Sequence, residues 1–534
     1  MKRNQMLRNL LILAVVLVVG IIAFICLGRK PGKNEKNVAQ TEQKEDTNEE
    51  KLLSGRVNDS PTGLNLGDSL ADIELETESG EAFSIGENLG KYTVVTFWGS
   101  WCEYCKEQLE QMESYQSTAE KYNASFLLVG VINEEKAPEE ELGQVIEEYE
   151  IDVPSVIDRD GKVYKKLGIQ KLPTNIVLSP EGRVMAIFPG KIDNAAQLDS
   201  MLSYVTKGFD TATLEAADSI LTNDEGGIQT STEEEKTHPS GADVLSESQG
   251  FIMEYAAETG NKDLFDRAFV YAEKSLGKDG LFLWYGSDDS KTSSNAFLDD
   301  LRIYGALLQA EKQWGKEYEK AIEEHGKALC RYNVTAKNEP LDFYDFKEGK
   351  STEFSLCYGD LETIKELEKR TGTKGLYEKT KAILTEGYIS DDFPLYYASW
   401  SYQEKKYSKK DLNMAEAVYT LYHLAKEGLL KDESKDWLLE QLKGDGIMAG
   451  YGVDGSVSEG YESTGIYALT AMIGMECNNS EMVTLSIARM NEFRIFDSAN
   501  RYNGAFGNAD GSGIYSFDQC MALKAYALLE SYCR

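Results

Sequence analysis

The stretch Tyr92-Thr-Val-Val-Thr-Phe-Trp98, then Gly99-Ser-Trp-Cys102-Glu-Tyr-Cys105, then Lys106 onward to Asn123, decides the first half of the chain. Residues 92–98 are β-branched or aromatic and largely apolar, the pattern of a central strand buried on both faces. A glycine and a serine end the run, and helical spacing follows from Lys106. Two cysteines at such a strand-to-helix turn put Cys102 at a helix N-terminus, where unpaired N–H groups and the helix dipole favour a thiolate. Cys105, one turn on, is placed to resolve a mixed disulfide. The same spacing serves as half of a zinc site, but a metal site needs a second ligand pair. None is present, and His238, His325 and His423 are far apart. No metal and no cofactor are therefore expected. The charge of Glu103, between the cysteines, opposes thiolate formation.

Working outward, Phe83 to Leu89 reads as a short strand and turn and Phe126 to Ile132 as a second buried strand. Glu139 to Tyr149 reads as a helix, and Pro154 to Asp158 starts another segment. Leu172-Pro173-Thr174 leads into Asn175–Leu178 and Glu181-Gly-Arg183, a strand, a turn and a second strand. This order resembles the membrane-tethered thioredoxin-like proteins of the TlpA and ResA kind, over residues 61–207. The resemblance implies an α/β thioredoxin-like fold and dithiol–disulfide exchange with protein thiols or disulfides outside the membrane. It also implies a cis Pro173 facing the cysteine pair. Thr96 stands where thioredoxins proper carry a buried acid, so Glu103, Glu107 or water would take the proton of Cys105.

The first residues carry Lys2, Arg3 and Arg8, a basic tail over 1–9. Residues 10–28 follow with no charge, about long enough to cross a bilayer as a helix. The basic flank favours a cytoplasmic N-terminus and places the rest of the chain outside, on the membrane; a cleaved signal peptide is the alternative, against which stand bulky Phe24 and Ile25 before Gly28. Cys26 invites a lipoprotein reading, but Ile25 is a poor residue before a lipidated cysteine, and Cys26 reads as a thiol in the anchor. Residues 29–60 are polar and charged and read as a disordered tether.

The whole chain has 534 residues and a formal net charge of −34, with 42% hydrophobic residues. That length predicts more than one folded domain. The charge excludes nucleic acid as an expected partner, since phosphate binding needs a basic surface. Cys330, Cys357, Cys477, Cys520 and Cys533 lie in the second half; their odd number leaves at least one without an intramolecular partner.

From residue 208 the text changes to helical spacing, at Phe251–Ala257, Leu264–Leu276, Leu301–Trp314, Glu317–Leu329, Ala415–Ala425, Ile466–Met475 and Gln519–Tyr532, with little strand signal. Gly- and aromatic-rich turns lie between, such as Asp279-Gly-Leu-Phe-Leu-Trp284 and Tyr451-Gly-Val-Asp-Gly455. Paired helices over 208–534 predict an all-α toroid whose loops gather into a cleft at one end. The stretch from Thr230 to Asp243 reads as a flexible loop within it.

Ser246-Glu-Ser-Gln-Gly-Phe-Ile-Met253 is similar to the Ser-Glu-Gly-Gln-Gly-Tyr-Gly-Met motif of glycoside hydrolase family 8. Ala296-Phe-Leu-Asp-Asp-Leu-Arg-Ile-Tyr304 and Lys312-Gln-Trp-Gly315 continue the likeness in order. The resemblance implies an (α/α)6 barrel acting on a β-linked cell-surface or environmental polysaccharide with inversion, and makes Glu247 the acid. Inversion needs a second carboxylate, about 6.5–9.5 Å away, to activate water. Asp300 or Asp299 would hold the sugar, although Leu298 replaces one aspartate of the family's pattern. The family's base falls on Asn413, whose amide accepts no proton near neutral pH. Asp411, Glu416, Glu459 and Glu462 are the candidate replacements. If none serves, the domain is a binding module, for carbohydrate or protein, that targets the thiol domain.

Overall fold

The computed structural model describes residues 63–86, 89–132, 139–233, 240–286 and 292–533. The basic tail, the proposed anchor and the tether lie outside them. Among the described residues no helix is long and apolar enough to cross a membrane.

The first domain is a seven-stranded sheet. Its strands are β1 (Glu74–Glu76), β2 (Ala82–Ser84), β3 (Tyr92–Trp98), β4 (Ala124–Val131), β5 (Ser155–Asp158), β6 (Thr174–Leu178) and β7 (Val184–Pro189), in the order β2-β1-β5-β4-β3-β6-β7. β3, β4 and β5 are parallel, while β6 and β7 run antiparallel as the predicted hairpin. Val94, Val95, Phe97, Leu128 and Val129 are fully buried, as continuous apolar central strands require. Five helices flank the sheet: α1 (Glu103–Leu109), α2 (Met112–Glu120), α3 (Glu140–Glu148), α4 (Lys162–Lys166) and α5 (Ala195–Thr206). This is an α/β thioredoxin fold.

The second domain is an all-α toroid. Its twelve described α-helices are α6 (Thr211–Leu221), α7 (Ser246–Thr259), α8 (Lys262–Tyr271), α9 (Phe297–Trp314), α10 (Glu319–Tyr332), α11 (Leu361–Thr371), α12 (Leu376–Glu386), α13 (Met414–Lys426), α14 (Asp432–Lys443), α15 (Thr464–Glu476), α16 (Ser480–Asn491) and α17 (Ser516–Cys533). The inner ring runs α7, α9, α11, α13, α15 and α17, each packed on the next, and α17 closes on α7. α15 shows why: from Thr464 to Gly474 every residue is buried, so the helix has no solvent face. α10, by contrast, has one buried stripe of Ile322, His325, Ala328 and Leu329 and sits outside. Short strands of two or three residues line the helix-to-helix loops, among them Ser399–Ser401 and Leu412–Asn413. The sequence pattern carried no signal for pieces that short.

The domains pack on each other. Phe188 of β7 meets Phe496 edge-on at 5.6 Å between ring centres. Arg494 lies over the Tyr204 ring at 4.7 Å and donates to Thr213 Oγ1 at 2.8 Å. The Leu66 N–H donates to Thr484 Oγ1 at 2.9 Å. Tyr204, Phe209 and Tyr526 are all fully buried, so the two hydrophobic cores are continuous here.

Candidate functional sites

β3 delivers the chain to Gly99, and α1 begins directly after Cys102, which is its N-cap. Cys102 and Cys105 form a disulfide. The Cys105 N–H points at the Cys102 sulfur at 3.2 Å, so the helix end presents a donor to that atom. Leu172–Pro173 is cis, and the Leu172 carbonyl lies 3.5 Å from Cys102 Sγ. Cys105 is buried, whereas Tyr104 beside it is exposed.

Behind the pair lies a neutral polar network. Thr96 Oγ1 donates to Asn175 Oδ1 at 2.8 Å, and Gln108 Nε2 donates to the same oxygen at 2.9 Å. Asn175 Nδ2 donates to the Gly190 carbonyl at 2.9 Å. All three side chains are buried. The space of the buried acid is thus filled by amides. Glu103 is exposed and pairs with Lys106 at 3.9 Å, and Glu107 is tied to Lys191. The sequence pointed to Thr96; its amide partners come from residues 12 and 79 positions away, beyond any local pattern.

In the toroid, Glu247 opens α7. Its carboxyl is driven up to about 7 by burial and by the charge of Asp299, against the pull of Arg302. Asp299 accepts from Ser246 Oγ at 2.7 Å and from Arg302 Nη1 at 3.2 Å. The Arg302 guanidinium stacks on the Phe251 ring at 3.8 Å. Gly250 makes room for it: a Cβ there would stand 3.1 Å from Arg302 Cδ. Trp284, half-buried, borders this turn, since the Ser246 N–H donates to its carbonyl at 3.1 Å.

Asp300 is placed differently. It has no exposed surface, accepts from the Phe282 N–H at 2.9 Å and from Asn295 Nδ2 at 2.6 Å, and lies 3.6 Å from His325 Nε2. Those bonds anchor the preceding turn to α9 and α10. The aspartate beside Glu247 is Asp299.

Among the candidate bases, Asp411 is exposed and Glu459 sits half-exposed on a short strand, Val457–Glu459. Glu462 accepts from Tyr467 and is paired with the buried Arg489 at 3.4 Å, a structural ion pair. Glu416, in the first turn of α13, is raised to about 7 by burial and then by the charges of Asp342 and Glu247. Asp342, which the sequence reading missed, is itself raised to about 7, chiefly by burial. Its carboxylate accepts from the N–H and hydroxyl of Ser355. No motif marks Asp342; it lies in a loop and meets the other acids only through the ring closure. Asn413 has its own role: its Oδ1 accepts from the N–H groups of Ala415 and Glu416 at 3.0 and 3.3 Å and caps α13.

A cleft of about 640 Å³ opens at the heads of α13, α15 and α17. Asn413 and Ala415, at the head of the helix carrying Glu416, form part of its wall. Phe517 forms another part and packs on Phe251, one turn from Glu247. Glu462 lines this cleft, whereas Glu247, Asp299, Glu416 and Asp342 are not among its lining residues.

Comparison with known proteins gives the two halves separate kin. Residues 66–187 match the AhpC/TSA family, and residues 217–342 match Glycosyl hydrolases family 8. YdaJ of Bacillus subtilis (strain 168), named as a lipoprotein, is 27% identical over 315 residues, 57% of this chain and 83% of that protein. The thiol-disulfide oxidoreductase ResA of the same organism is 25% identical over 138 residues, 26% of this chain and 75% of that protein. Among solved structures, one described as a novel alpha-amylase from Clostridium perfringens superposes with a TM-score of 0.56 and 28% identity. It covers 59% of this chain and 96% of that one. The chain is a two-domain protein: a thioredoxin-like domain, similar to thiol-disulfide oxidoreductases, followed by a toroid like those of glycosyl hydrolases family 8.

Proposed function

We propose that this chain is an extracytoplasmic thiol-disulfide oxidoreductase carrying a glycan-hydrolysing domain. The thiol reading rests on the Cys102–Cys105 pair at the start of α1, set against the Leu172–Pro173 edge. In the reductive direction the Cys102 thiolate attacks a substrate disulfide and forms a mixed disulfide. The Cys105 sulfur then displaces the substrate thiolate, leaving the intramolecular disulfide. The extracytoplasmic placement rests on the basic, apolar N-terminal stretch and on the likeness to ResA and to YdaJ.

The hydrolytic reading rests on one observation: Glu247 and Glu416 are both raised to about 7, chiefly by burial, and the charge of Glu247 adds to the shift of Glu416. Buried carboxyls raised in this way do not all ionise readily near neutrality, which favours one acid and one base. Glu247 protonates the leaving oxygen. Glu416 takes a proton from the attacking water, and Asp299, held by Ser246 and Arg302, supports the sugar. Product analysis on β-glucan, xylan and chitosan, with Glu247→Gln alongside, tests this. Starch joins the panel because the structural relative with 28% identity is described as an alpha-amylase. Sugar binding without new reducing ends would recast the toroid as a targeting module for the thiol domain.

A further inference from the structure

One segment has the cleft on one side and the thiol domain on the other. Residues 493–513 join α16 to α17 and are built of turns and bends. Phe493, Gly507, Asn508, Ser512 and Gly513 line the cleft. Phe496 takes the edge of Phe188 at 5.6 Å and of Tyr204 at 5.5 Å. The Ser498 N–H donates to the Ala196 carbonyl at 3.1 Å, and the Ser200 hydroxyl donates to Asn503 Oδ1. The same Asn503 oxygen accepts the Asp497 N–H at 3.2 Å, so the thiol domain's contact is shared with the segment's own turn.

The toroid holds both ends of the segment: Phe493 stacks on Tyr467, Arg494 donates to the Phe209 carbonyl and to Thr213 Oγ1, and the Gly513 N–H donates to Glu233 Oε1 at 2.9 Å. Gln519 clamps Phe506 through both its N–H and its carbonyl, at 2.9 and 2.8 Å. Gly504, at φ +86°, lies so close to α6 that a Cβ would stand 2.7 Å from Ala212 backbone. The stretch from 496 to 503 meets α5 and β7 of the first domain. A segment made of turns takes its shape from what it packs on. The contact also lies near the cysteine end of the sheet, because Phe188 pairs with Asn175, two residues after Pro173.

We propose that the thiol domain completes the glycan cleft: Phe188 and Tyr204 are positioning residues that set the 493–513 wall against which a glycan chain lies. Its effect on turnover rests on the hydrolytic reading above, whereas its effect on the wall does not. The first domain then serves the second by contact as well as by chemistry.

The test uses the full chain with Phe188→Ala, with Phe496→Leu to thin the same contact from the toroid side, and with Phe188→Tyr to restore the ring. Hydrogen exchange should quicken several-fold in 493–513 in the first two variants and stay unchanged in the third, with α7 and α9 unaffected in all. On whichever glycan of the panel the unmodified protein cleaves, KM should rise about 3- to 10-fold with kcat held, in line with the loss of one aromatic pair. Unchanged exchange in 493–513 in both thinned variants would overturn the proposal. So would quickened exchange with an unmoved KM. If the unmodified protein cleaves none of the panel, the hydrolytic reading fails, and hydrogen exchange alone decides this one.

Discussion

Asn413 Oδ1 accepts the backbone N–H of Glu416 at 3.3 Å, so this amide caps the helix that carries the proposed base. Two variants separate these roles. Asn413→Ala should cost about 1 kcal/mol of stability, the usual worth of such a cap, and leave most turnover in place. Glu416→Gln should keep the fold and lower kcat by about 10²- to 10⁴-fold, the span expected of general base catalysis. Thermal denaturation and steady-state kinetics on the same preparations distinguish them.

The raised acids also fix a pH dependence of stability. Glu416 and Asp342 have folded pKa values of about 7, well above those of free carboxyls. The folded state therefore holds protons that the unfolded chain has lost between roughly pH 4.5 and 7. Stability falls as pH rises through that window, by on the order of 3–4 kcal/mol for each such group. Glu416→Gln should accordingly raise the melting temperature at pH 8 and change it little at pH 4.5. An equal shift at both pH values would show that Glu416 is not held protonated by its surroundings.

In the thiol domain the network of Thr96, Asn175 and Gln108 holds no titrating group, and Glu103 points into solvent. Glu103→Gln should leave the pH profile of disulfide reduction within about twofold at every pH, because an exposed charge is well screened. Asn175→Asp would put a carboxylate where the amide stands and add a new inflection to that profile. A profile reshaped by Glu103→Gln would instead make Glu103 the proton acceptor for Cys105.

The shared core predicts joint unfolding. Arg494 bonds Thr213 Oγ1 and the Phe209 carbonyl and stacks on Tyr204 and Tyr526. Calorimetry of the whole chain should show one main transition. Arg494→Ala should lower it by about 3 kcal/mol or more through the broken buried network, and split it in two.

Much of this was legible in the sequence. Tyr92–Trp98 with Cys102 and Cys105 announced a thioredoxin-like fold because strand, turn and helix are read from neighbouring residues. Ser246–Met253 announced the toroid for the same reason. Helices α11, α12, α14 and α16 escaped notice because their buried stripes are narrow or interrupted by polar residues. In α11, for instance, only Leu361, Thr363, Ile364 and Leu367 are buried. The choice between Asp299 and Asp300 could not be made by pattern, since adjacent residues on a helix differ by a rotation that only packing fixes. Asp342 and the second role of segment 493–513 depend on contacts across the closed ring and between the domains, which no window of sequence contains.

Glu247 and Glu416 are proposed as a working acid–base pair. The most direct measurement is the release of reducing ends from the glycan panel by the purified protein, followed against pH for the unmodified chain, Glu247→Gln and Glu416→Gln. A bell-shaped profile is expected in the unmodified protein, with loss of turnover in both variants and glycan binding kept. Turnover that survives in either variant would contradict it.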